Sequence, residues 1–188
     1  MIQLRPYQSA AIEAIYGYFG QQSGNPLIVL PVGTGKSLVL ASFSARALAD
    51  WADTRILVVT HVRELITQNY GEMIRLWPEA PAGIYSAGLN KRDLHAQILF
   101  AGIQSIHKRA YDIQRCDLAL IDEAHLIPRT SSTMYRRFLG DLATINPHLK
   151  MLWGERRGWQ VGALCYLRRS PHAVPGCHWS IDGRMECG

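Results

Sequence analysis

Leu30-Pro31-Val32-Gly33-Thr34-Gly35-Lys36-Ser37 decides the fold, because it joins an apolar run, Leu27-Ile28-Val29-Leu30, to a run of helical spacing that begins at Ser37. Consecutive backbone N–H groups at a helix start point at an anion. Lys36 adds a point charge and Ser37 a hydroxyl suited to magnesium, so strand, glycine turn and helix in this order form a phosphate cradle. Gly33 and Gly35 let the backbone approach phosphate oxygens that a Cβ would hold off. The full pattern carries another glycine where this chain has Leu30, and the plainer alternative is a glycine turn capped by Ser37.

A second stretch bears on that choice. Asp117-Leu118-Ala119-Leu120-Ile121 reads as a short buried strand that delivers Asp122-Glu123-Ala124-His125 to its C-terminal end. Carboxylates where a parallel strand stops are placed to meet magnesium and a water beside bound phosphates. A solvated acidic turn is the alternative, and it loses ground because an α/β pattern links these residues to the glycine turn.

Between and around these stretches the pattern alternates. Pro6 suits the first turn of a helix whose Ala11, Ile12, Ile15, Tyr18 and Phe19 share a face. Leu38 to Leu48 is apolar nearly all round and predicts a helix packed deep against a sheet. Arg55 to Thr60 is rich in Ile and Val, as a strand is. Val62, Leu65, Ile66, Met73, Ile74 and Trp77 recur at helical spacing before Pro78 stops the run. Gly83 to Ser86 and Gln97 to Ala101 read as strands flanking a polar loop with Lys91 and Arg92; Met134 to Ile145 reads as a helix and Leu149 to Trp153 as a last strand. Such alternation predicts an α/β fold, a parallel sheet with helices on both faces.

Composition narrows the class. With 48% hydrophobic and 19% charged residues the 188-residue chain is globular rather than disordered. No apolar run reaches the roughly 18 residues of a membrane span, and no signal-peptide layout opens the chain, so a cytoplasmic setting without membrane contact is expected. A net charge of +5 permits a nucleic-acid partner without requiring one. Four cysteines without paired spacing fit free thiols.

Taken together, these motifs resemble the first motor lobe of superfamily 2 helicases and translocases, the DEAD/DEAH-box and type III restriction-subunit-like group. The resemblance covers about residues 2 to 152 and implies a RecA-like P-loop NTPase lobe. Leu4-Arg5-Pro6-Tyr7-Gln8 resembles the adenine-contacting segment, Pro31 to Ser37 motif I, and Thr60-His61-Val62-Arg63-Glu64-Leu65 motif Ia. Gly102-Ile103-Gln104-Ser105 resembles a strand-contacting motif, and Asp122 to His125 is motif II in its DEAH form.

The resemblance implies roles position by position, with ATP and magnesium (Mg2+) as the ligands. Gln8, with Arg5, would read the adenine edge. Gly33, Thr34, Gly35 and Lys36 would hold phosphates, Ser37 and Asp122 the metal, and Glu123 the attacking water. His125 would couple the nucleotide site to the nucleic acid, DNA in preference to RNA, whose backbone would meet Thr60, Arg63, Gln104 and Ser105. Each has a plainer reading: Gln8, Gln104 and Ser105 as capping or solvated residues, Arg63 and Glu64 as an exposed helical pair. Tyr7, Trp51 and Trp77 read as packing residues rather than base-stacking platforms.

Beyond Leu152 the resemblance stops. The family's Ser/Thr-Ala-Thr triplet is replaced by Trp153-Gly154-Glu155-Arg156-Arg157-Gly158-Trp159, and three of the four cysteines follow residue 151. The expectation is a lobe over 1–152 and an atypical, irregular tail over 153–188, frame-disrupted near Leu152, in a truncated copy whose second, arginine-bearing lobe is missing. A zinc site from Cys165, His172, Cys177, His178 and Cys187 is the alternative for the tail, although it lacks a Cys-x-x-Cys knuckle. Two functional readings stay open, an ATP-hydrolysing motor lobe and a non-catalytic nucleotide- or nucleic-acid-binding module acting through a partner.

Overall fold

Strict alternation of apolar residues along each strand sends neighbours to opposite faces, and two hydrophobic cores result. In the computed structural model, which describes residues 3–22, 24–31, 33–124, 127 and 134–154 in full and 155–157, 166–169, 177–179 and 185–187 as backbone, both cores lie against one sheet. The first strand, β1 (Pro26–Pro31), follows helix α1 (Pro6–Gln21) and precedes α2 (Lys36–Asp50). Then come β2 (Ile56–Thr60), α3 (Arg63–Leu76), β3 (Ala82–Ser86), a single 3-10 turn (Ala87–Leu89), β4 (Lys91–Arg92) and β5 (Ile98–Gly102). Two short helices, α4 (Ile103–Ile106) and α5 (Ala110–Ile113), lead to β6 (Leu118–Ile121), α6 (Met134–Ile145), β7 (Lys150–Arg157) and β8 (Tyr166–Arg169). The last strands, β9 (Cys177–Trp179) and β10 (Met185–Cys187), pair with each other in a second, two-stranded sheet.

The sheet runs β4-β3-β5-β2-β6-β7-β1-β8, parallel from β3 to β1 and antiparallel at its two edges. Ile28, Leu30, Ile56, Val58, Ile98 and Phe100 face α1, α2 and α3, whereas Leu27, Val29, Leu57, Val59 and Leu99 face α4, α5 and α6. This is the expected α/β architecture. No helix among the described residues is long and apolar enough to cross a membrane.

Two local expectations change. The strand expected to stop at Trp153 continues to Arg157, because Gly154 to Arg157 still pair in parallel with Ile28 to Pro31 of the neighbouring β1. Within the polar loop after β3, Lys91 and Arg92 form an edge strand, with Arg92 opposite Tyr85 and its guanidinium 5.6 Å from that ring. Charged residues on a short edge also discourage pairing with another chain.

At the end of the sheet away from the glycine turn, Arg55 closes three segments: its backbone N–H donates to Asp117 Oδ2 at 2.9 Å and its guanidinium to the carbonyls of Leu94, at 2.7 Å, and Ile113. Burial there pulls the Arg55 guanidinium below its usual range. Phe138, on α6, is the largest of the fully buried side chains in the second core. Phe138→Ala is expected to cost about 3–5 kcal/mol of stability, read as a lowered midpoint in urea unfolding with an unchanged slope.

Candidate nucleotide site

Gly33 and Gly35 both adopt left-handed backbone, φ 80° and 78°, and Gly35 is the N-cap of α2. The φ of Gly35 favours glycine, and a Cβ there would come 2.7 Å from Gln8 Nε2 and push that carboxamide aside. The loop is held from the side by α1. Tyr7 Oη and Gln8 Nε2 both donate to the Thr34 carbonyl, at 2.8 and 2.9 Å, while Arg5 N–H donates to Gln8 Oε1 at 2.9 Å. Gln8 thus closes the first turn of α1 with its side chain while its own N–H donates to the Arg5 carbonyl, and both ends of its carboxamide are engaged with the chain itself. Tyr7, read from the sequence as packing, anchors the loop through its hydroxyl.

The cleft over this loop has a volume of about 490 Å³ and is lined by Arg5, Gln8, Gly33, Thr34, Gly35, Lys36 and Ser37 on one side. Gln68, Glu72 and Arg75 of α3 line the other. These three belong to a helix whose apolar stripe is obvious in sequence, but their polar face carries no local pattern that marks it as facing a cleft. All six positions from Arg5 to Lys36 assigned to phosphate or base contact therefore share one concavity.

Below the loop lie the carboxylates. Lys36 Nζ is 2.5 Å from Asp122 Oδ1 and 2.7 Å from Glu123 Oε1, and all three residues are at most 5% exposed. Asp122 Oδ1 also accepts from Glu123 N–H at 3.0 Å, and Asn69 Nδ2 donates to Oδ2 at 2.9 Å. Glu123 has φ 57°, a left-handed backbone that costs a residue with a Cβ about 1–2 kcal/mol. That conformation turns the chain sharply as β6 ends and brings its carboxylate back over Lys36. Gly154 of β7 completes the floor; a Cβ there would touch Asp122 Oδ1 and Lys36 Cδ at 3.5 and 3.7 Å.

The donor set suits magnesium, a hard cation that takes oxygen ligands. Ser37 Oγ and the Asp122 carboxylate are the oxygens at the turn, and Gln68 Nε2 lies 3.5 Å from Ser37 Oγ. With Lys36 now balancing Asp122, a metal there requires the ammonium to move to another anion.

The four residues read as strand contacts sit at the C-terminal ends of β2, β3 and β5. Arg63 opens α3 and is exposed, with its Cδ over Gly88 in the turn after β3. Exposed Gln104 donates to the His61 carbonyl at 3.2 Å, and Ser105 Oγ accepts from Ala87 N–H at 2.9 Å. Thr60 is 1% exposed, its hydroxyl accepting from Val62 N–H at 3.3 Å. His125 lies outside the described residues, as do Cys165 and His172 and the side chains of Cys177, His178 and Cys187.

A family profile described as "Type III restriction enzyme, res subunit" matches residues 1–149. The chain belongs to that family. Among curated relatives of this res-subunit lobe, a protein named DNA 3'-5' helicase XPB from Kineococcus radiotolerans is 29% identical over 160 residues, which cover 76% of the chain and 26% of the relative. The UvsW helicase of bacteriophage T4 has a similar structure, with a TM-score of 0.60 at 21% identity over 81% of this chain and 52% of that one. The DExH-box NTPase HrpB of E. coli gives 0.63 at 16% identity, over 84% of this chain and 20% of its own. The fold is that of a helicase-family ATP-binding lobe, and the chain spans about a quarter of the curated relative's length.

Two carboxylates buried around one ammonium predict an asymmetry. Lys36→Ala is expected to lower stability by about 3–5 kcal/mol in chemical denaturation, since it removes the cation that buried Asp122 and Glu123 share. Adding Asp122→Asn and Glu123→Gln is expected to restore most of that loss; a Lys36→Ala variant as stable as the parent would show the cluster to be solvated.

Proposed function

We propose that this lobe is the ATP-hydrolysing part of a nucleic-acid helicase or translocase, with magnesium as its metal and DNA in preference to RNA as its track. The observation that carries the reading is the meeting of the glycine turn and the end of β6 at Lys36 Nζ, within 2.7 Å of both Asp122 and Glu123. A triphosphate offers Lys36 a more highly charged anion than either carboxylate. On binding, Lys36 turns to the β- and γ-phosphates, and Asp122 with Ser37 becomes free to hold the metal. Bound magnesium supplies neutralisation of charge on the β- and γ-oxygens. Glu123, relieved of the ammonium, orients or deprotonates the attacking water.

Gln8 with Arg5 reads the adenine edge, which requires the Gln8 carboxamide to exchange its bonds to Thr34 and Arg5 for bonds to the N6 and N7 of the base. Exposed Arg63 and Gln104 meet strand phosphates, with Ser105 and the buried Thr60 supporting them and His125 coupling the two sites. The name of the K. radiotolerans relative supports DNA as the polymer. The family match over residues 1–149 supports a lobe boundary near 152, although β7 runs on to Arg157 and β8 joins the same sheet beside β1, and a cytoplasmic setting is part of the proposal. Full turnover in this scheme requires arginines from a second lobe, and such a residue is worth about 10³–10⁵ in rate.

A polypeptide of these 188 residues, without arginines from a second lobe, is expected to bind ATP, to turn it over at least about 10³-fold more slowly than with them, and to unwind nothing. Strong DNA-stimulated hydrolysis abolished by Glu123→Gln would remove the need for a second lobe. Binding with no turnover, unaffected by that substitution, would favour the non-catalytic module instead. An absence of ATP binding would end the nucleotide reading.

A further inference from the structure

The buried face of α3 carries Leu65, Ile66, Asn69 and Met73. Three of these are apolar, as an inward stripe requires, but Asn69 is a carboxamide only 2% exposed. Leucine would serve packing better. An ionised carboxylate can only accept hydrogen bonds, so the Asn69 nitrogen must face Asp122, and its 2.9 Å bond reaches Oδ2. The carboxamide oxygen is left buried with no donor among the described residues, a cost of about 1–3 kcal/mol. Asn69 therefore weakens the α3 packing in order to hold one oxygen of one aspartate.

The two oxygens of Asp122 are treated differently. Oδ1 faces Lys36 Nζ and the Glu123 N–H, on the phosphate side, whereas Oδ2 is reached by Asn69 from behind. With Oδ2 tethered, the carboxylate cannot rotate when Lys36 departs, and Oδ1 stays on the side where Lys36 and the Glu123 N–H meet it. We infer that Asn69 is a positioning residue for Asp122, locking the carboxylate in the orientation that receives magnesium with the nucleotide. This rests on the proposed ATP- and magnesium-binding role. A ligating carboxylate is itself held by hydrogen bonds, and loss of such a partner typically weakens metal affinity about 10- to 100-fold.

The test is the affinity of the whole chain for a fluorescent, non-hydrolysable ATP analogue in magnesium and in EDTA, for the parent, Asn69→Leu and Asn69→Ser. Leucine matches asparagine in size but cannot donate; serine keeps a donor too short to reach Oδ2. The parent is expected to bind more tightly with magnesium. Both variants are expected to keep the EDTA affinity within about twofold and to lose about tenfold or more of the magnesium-dependent gain. Should circular dichroism show Asn69→Leu unfolded, the serine variant decides alone. A folded variant that retains the full gain overturns the inference, and so does one that weakens binding equally in both media, the signature of a merely structural role. A parent with no magnesium dependence removes the metal-binding premise and the inference with it, and is distinguishable because it appears before any substitution.

Discussion

The interaction on which this molecule depends is the contact of one ammonium with two buried carboxylates, Lys36 with Asp122 and Glu123. Burying three charges is expensive, and a well-packed apolar trio of the same volume would be as stable or more so. Stability therefore does not explain the cluster; charge handling does. The surrounding geometry is arranged to permit it. Gly33 and Gly35 bend the turn so that Lys36 heads α2, Glu123 accepts a left-handed backbone, and Gly154 of β7 lies against the carboxylate.

The sheet supplies the alignment. From β3 to β1 the strands are parallel, so every strand-to-helix loop among them emerges at the same end. The loop after β1 and the end of β6 meet there because only β7 separates the two strands. On the other half of the same edge, the ends of β2, β3 and β5 gather Arg63, Gln104 and Ser105. Two alternating hydrophobic faces hold this arrangement rigid, with α1, α2 and α3 on one side and α4, α5 and α6 on the other.

Helix α3 ties the halves together. It starts with exposed Arg63 at the end of β2, carries Asn69 to Asp122 one face inward, and lines the cleft with Gln68, Glu72 and Arg75. A shift of this helix would be felt at both places, because its inward Ile66 and Met73 are buried in the first core against the sheet.

Much of this was legible in the residues themselves. Strand alternation, the glycine turn, the acidic strand end and the apolar stripes are local signals, with periods of two or about 3.6 that one segment contains. They determined the α/β class and most strands and helices up to β7, and they singled out Lys36, Ser37, Asp122 and Glu123. What required tertiary structure was everything set by residues distant in the chain. Asn69 carries no signal of its own in the sequence; its partner Asp122 lies 53 positions on and meets it only in the fold. Gln8 became a brace for the loop only because α1 packs against Thr34, and β7 lengthened past Trp153 because β1 was there to pair with. Hydrogen bonds between segments leave no period in the sequence, since each partner is chosen by the packing of the whole sheet rather than by its neighbours in the chain.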